Sequence, residues 1–103
     1  MSFEDFQASV THDAQPPKGL GAPCQALWHD ARGDWDRAHD CLQGDSSAAA
    51  SWVHAYLHRK EGDLGNAGYW YARAGQTLPR NQSRAAEWQS IAQRLLAAGD
   101  GGV

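Results

Sequence analysis

The chain has 103 residues, 42% of them hydrophobic, and a formal charge of −3, which allows one domain with a modest core and leaves no room for a separate substrate domain. The acidic balance and the lack of a basic stripe exclude nucleic-acid binding driven by phosphate charge. No apolar stretch approaches the ~20 residues that cross a bilayer, so a membrane-spanning protein is excluded too.

The first residues, Met-Ser-Phe-Glu-Asp-Phe, lack the positive start and apolar run of a secretion signal, and only two cysteines are present, Cys24 and Cys41. The expectation is a cytoplasmic protein whose thiols are not joined. Phe3, Phe6 and Val10 predict a short helix over residues 3–10. The run Gln15-Pro16-Pro17-Lys18-Gly19-Leu20-Gly21 then breaks it, because proline lacks the amide donor and glycine is too free. Residues 1–22 therefore read as a short helix and a linker, residues 23–98 as the helical body, and residues 99–103 as a flexible tail. Within the body, helices are predicted over 23–32, 34–43, 47–61, 63–76 and 82–98. No strand signal is present, so the fold class is all-α and a dinucleotide-binding sheet is excluded.

The body contains an internal repeat with an offset of 29 residues. Ala26 falls on Ala55, His29 on His58, Gly33 on Gly62, Asp34 on Asp63 and Ala38 on Ala67, with Trp35 and Leu64 both large and apolar. Each unit has the same logic. A helix ends at a glycine free to take positive φ. The following aspartate accepts backbone N–H groups and its charge suits the start of the next helix. A loop this short gives only an antiparallel helical hairpin. In the second unit Gly62, Ala67, Tyr71, Ala74 and Pro79 stand at the spacing of the tetratricopeptide repeat, which residues 47–79 resemble. Tyr69-Trp70-Tyr71-Ala72-Arg73-Ala74 also resembles the related Sel-like repeats. The first unit, residues 24–45, matches less fully, since Asp45 and Ala50 replace the later small residue and proline. The last segment carries Trp88, Ile91 and Leu95 at helical spacing after Ser83, a suitable N-cap, and reads as the closing helix that repeat arrays need.

The resemblance implies antiparallel helical hairpins with a C-terminal capping helix and a protein-binding task, with a protein or peptide as partner. In that family the first helices of successive hairpins line a groove, which places Trp52, Tyr56, Arg59 and Lys60 in a candidate binding surface. The same residue types also suit a core. If the N-terminal segment does not dock, the uncovered end of the stack predicts a homodimer. No cofactor and no catalytic residue is expected.

The competing chemistry is metal binding or metal-dependent hydrolysis. His54 and His58 lie four apart and project from one side of a helix, with His29 as a third candidate ligand from the neighbouring hairpin. The dipeptides His12-Asp13, His29-Asp30 and His39-Asp40 resemble the motif of the HD-type phosphohydrolases, but adjacent helical residues point about 100° apart, so a dipeptide alone makes no site.

Overall fold

Helix starts are written into this chain as short side-chain acceptors. The computed structural model describes residues 1–99. Among them are α1 (Phe3–His12), α2 (Ala22–Ala31), α3 (Trp35–Cys41), α4 (Ala48–Glu61), α5 (Leu64–Ala74) and α6 (Arg84–Ala97), and no strand. Ser2, Asp34, Ser47, Asp63 and Ser83 each accept a backbone N–H at the start of a helix, satisfying a donor that the helix leaves without a partner. α2 has no such oxygen, and Pro23 in its first turn removes an N–H that would have been an orphan. Of the tail expected at 99–103, all but Gly99 lies outside the described residues.

The two Gly-Asp turns are built alike. Gly33 has φ 82° and Gly62 φ 90°, a conformation that costs glycine little. Asp34 N donates to His29 O at 3.0 Å, and Asp63 N donates to His58 O at 2.9 Å. This closure ends α2 and α4 and turns the chain so that α3 packs on α2 and α5 on α4. Ala26, Ala38, Ala55 and Ala67 are all fully buried, letting the paired backbones approach closely. The ends of the elements differ from expectation for local reasons. α1 reaches His12 because Asp13 N still finds Ser9 O at 2.9 Å. α5 stops at Ala74, before residue 76, because Gly75 turns left-handed at φ 72°.

α4 is the central helix. Val53, His54, Tyr56 and Leu57 are all buried, although they point to different sides, so α4 must be covered all round. Its neighbours are α5, α6, α2 and α3. The last helix does not close the outer side of α5, as the repeat reading expects. It packs on α4, α2 and α1, burying Ile91, Ala92 and Leu95. The physical reason is where apolar surface is on offer. Trp88 stacks on Phe6 at 5.8 Å and its Nε1 donates to Leu27 O at 2.9 Å.

The N-terminal segment shares this core. Phe6 and Leu20 belong to it, Phe3 and Val10 pack against it, and Trp28 Nε1 donates to Ser9 Oγ at 3.1 Å. Two buried carboxylates tie the helices together. Asp30 accepts from the Tyr56 hydroxyl at 2.9 Å and from Lys60 Nζ at 2.9 Å. Glu87 accepts from Tyr71 at 2.6 Å and from Arg59 at 2.8 Å. No helix among the described residues is long and apolar enough to cross a membrane.

Candidate metal centre

Three imidazoles meet where α3 passes α4. His39, His54 and His58 each place one ligand nitrogen within 4.8 Å of the other two. Their ring centroids are 4.9 Å apart for His39 and His54, 5.4 Å for His39 and His58, and 6.2 Å for His54 and His58. Helix geometry supplies one pair: four residues apart on α4, the rings of His54 and His58 lie nearly parallel, at 11°. His39 comes from α3, where Trp35 one turn earlier stacks on it at 5.1 Å and 9°. The same indole donates its N–H to Leu57 O at 2.9 Å, which anchors α3 on α4. From the other side Trp70 of α5 stacks on His54 at 4.2 Å and 12°.

The protonation pattern favours ligand binding. Glu61 Oε1 lies 2.7 Å from His58 Nδ1. A carboxylate can only accept there, so Nδ1 carries a proton, leaving Nε2 as the nitrogen to face a metal, an arrangement shared with many metal-bound histidines. Asn66 Nδ2 lies 3.4 Å from that Nε2. His54 is 5% exposed, and its Nδ1 has no hydrogen-bond partner. An unmatched buried polar atom costs about 1–3 kcal/mol. Burial, followed by the charges of His39, His58 and Arg73, lowers the His54 pKa to about 4. The ring is therefore neutral at physiological pH, the form that binds metal. A cleft of about 630 Å³ opens over the three rings, with Asp45, Asn66, Trp70 and Arg73 in its walls.

The structure brings His54 and His58 together as the spacing predicts, and it corrects the third member. His29 stays on α2 with its ring against Trp28 at 5.2 Å, and burial, then the Arg37 charge, lowers its pKa. Equivalence to His58 by repeat puts it one unit away along the chain's architecture, not across from α4. His39 takes that place. The signal for it was Trp35, four residues earlier on α3, which shows the side of α3 that faces inward. The His-Asp dipeptides contribute no site of their own: among the described residues no Asp of these pairs joins a group of metal-ligating atoms. Asp30 is instead engaged by Tyr56 and Lys60.

Trp52, Tyr56, Arg59 and Lys60 do not meet on one surface. Trp52 packs against the core with Arg94 over its ring at 5.2 Å. Arg59 is turned inward to Glu87 and to the carbonyl of Gln82. Tyr56 and Lys60 line a second cleft of about 600 Å³ beside Asp30, Arg84 and Trp88, but their polar atoms are already bonded to Asp30. The cysteines form no disulfide; burial raises the Cys41 thiol.

Three imidazoles, one of them oriented by a carboxylate, form a donor set suited to Zn²⁺, Ni²⁺ or Cu²⁺ and poorly suited to Ca²⁺ or Mg²⁺. No family model matches the chain, and no curated protein or solved structure matches it.

Proposed function

We propose that the protein is a metal-binding protein, not an enzyme, that holds one divalent transition-metal ion of the zinc class between α3 and α4 through His39, His54 and His58. The observation that carries this reading is the buried, unpartnered Nδ1 of His54 inside a cluster of three imidazoles whose ligand nitrogens lie within 4.8 Å of one another. Glu61 orients His58 from behind. The ion joins α3 to α4 beside the hydrogen bond from Trp35 to the Leu57 carbonyl. The test is Zn²⁺ titration of chelator-treated protein, with metal content read by mass spectrometry. One ion per chain is expected. His39→Ala, at a partly exposed position, lowers affinity at least ~100-fold and Glu61→Gln lowers it ~10–100-fold, while His29→Ala leaves it unchanged. Substoichiometric metal, or equal affinity in the His39 and His29 variants, overturns the reading.

A second reading is a tetratricopeptide-like module that binds a protein or peptide. It is supported by the matching Gly-Asp turns with their buried alanines and by Leu64 and Tyr69, large side chains left exposed on α5. Loss of partner capture on Leu64→Ser and Tyr69→Ser, with zinc affinity intact, supports it; a partner unaffected by both substitutions counts against it.

A further inference from the structure

We infer that the ion in the three-histidine site keeps one coordination position open, and that a small molecule with two carboxylate groups fills it, using Arg73 as its second anchor. This rests on the metal-binding reading above and extends it to the ligand class.

A tetrahedral site needs four donors. Among the described residues the cluster offers three, all histidines, and His58 also belongs to a second group of possible ligands with Glu61 and Asp63. Glu61 is engaged at His58 Nδ1, the nitrogen across the ring from Nε2. Asp63 caps α5 by accepting from Asn66 N at 3.1 Å. The fourth position therefore belongs to something from outside. The site is open to receive it, because the cleft over the three rings has a volume of about 630 Å³, within the range that accepts a small molecule.

Charge and shape select the class. Neutral imidazoles leave the charge of a divalent ion uncompensated, which favours an anionic oxygen. Arg73 adds a second positive group in the wall of the same cleft. Its guanidinium lies over Trp70 at 5.2 Å, and that indole is the one stacked on His54. The guanidinium donates to the Tyr69 hydroxyl at 3.0 Å, and among the described residues no carboxylate pairs with it. A planar fork of N–H donors matches a carboxylate in two-point contact. Asp45, also in the cleft wall, is partly occupied by Ser47 N at 3.0 Å and directs anions away from its own side. A diacid with one carboxylate oxygen on the metal and the other carboxylate on Arg73 spans the indole between them with its hydrocarbon part.

The test uses the full chain loaded with Co²⁺, whose visible bands report coordination. Succinate and acetate are titrated at constant ionic strength. The bands are expected to shift with saturation, and succinate to bind at least fivefold more tightly than acetate, about the worth of one added charge-assisted pair. Arg73→Gln is expected to abolish that advantage. Co²⁺ bound at one per chain with bands indifferent to both acids overturns this inference while the metal reading stands. Absence of bound Co²⁺ overturns both. An undiminished preference for succinate in Arg73→Gln removes Arg73 from the site and overturns the diacid assignment.

Discussion

The two helical pairs, α2 with α3 and α4 with α5, share a turn with a left-handed glycine, φ 82° at Gly33 and 90° at Gly62, and part company immediately after it. At the position following the capping aspartate, Trp35 turns inward, stacks on His39 and bonds to the Leu57 carbonyl, whereas Leu64 stands 55% exposed. At the position four before the glycine, His29 rests against its own neighbour Trp28, whereas His58 is buried among His39, Glu61 and Trp35. Local syntax is therefore common to both pairs, and surroundings decide what the equivalent side chains do. α3 is enclosed by α4 on its free side. α5 packs mainly on α4, and its equivalent residue, Leu64, stays exposed.

The sharpest way to break this comparison is to truncate the two equivalent residues. Trp35→Ala is expected to lose about 3–4 kcal/mol, because it removes a packed indole together with its hydrogen bond to the Leu57 carbonyl. Leu64→Ala is expected to change stability by less than about 0.5 kcal/mol. Urea unfolding of both variants, metal-free, decides it; similar losses would mean that the two pairs are buried alike.

A somewhat smaller effect separates the histidines by pH. Unfolded His54 takes up a proton near its ordinary pKa of 6.5, and folded His54 resists until about 4. Between these values the unfolded chain binds more protons, so stability falls as pH drops from about 6.5 to about 4. The full depression corresponds to about 3 kcal/mol. His54→Gln is expected to flatten that slope in chelator-treated protein, followed by denaturant midpoint against pH. An unchanged slope would place the acid sensitivity elsewhere.

The smallest effect concerns what the pairs have in common. Gly33→Ala and Gly62→Ala meet no clash, since nothing lies within 4 Å of the added carbon. Each therefore costs only the strain of positive φ, about 1 kcal/mol, and the two losses are expected to agree within about 0.5 kcal/mol. Unequal thermal shifts would show that the turns differ after all.

These contrasts also mark where sequence reading reaches its limit. The turns were legible because glycine and aspartate act through their own backbone neighbours. His54 and His58 were legible because four residues is one helical turn. His39 was not, because its meeting with α4 depends on how two separate helices pack, and repeat equivalence pointed to His29 instead. The fates of Arg59 and Lys60 were equally hidden. Their partners, Glu87 and Asp30, lie 28 and 30 residues away in the chain, and nothing in the spacing of a helical stripe says that a buried acid waits for it. The closing helix was legible as a helix, while its docking on α1, α2 and α4 followed from where Phe6 and Leu27 had been placed.

The paired buried carboxylates carry a consequence at the alkaline end of the scale. Burial, and then the adjacent negative charge of Asp30, raises the Tyr56 hydroxyl far above its usual range; burial, and then the hydrogen bond to Glu87, does the same for Tyr71. Neither ring can become a phenolate while the helices stay closed, yet both ionise readily in an open chain. Alkali therefore acts on this protein as a denaturant drawn in by its own tyrosines: above the ordinary phenol pKa of about 10 the open chain releases protons that the folded state retains, so stability falls as pH rises. Tyrosinate absorbance from these two residues should consequently rise together and in step with the loss of helix, so that an ultraviolet alkaline titration of this small domain doubles as an unfolding curve.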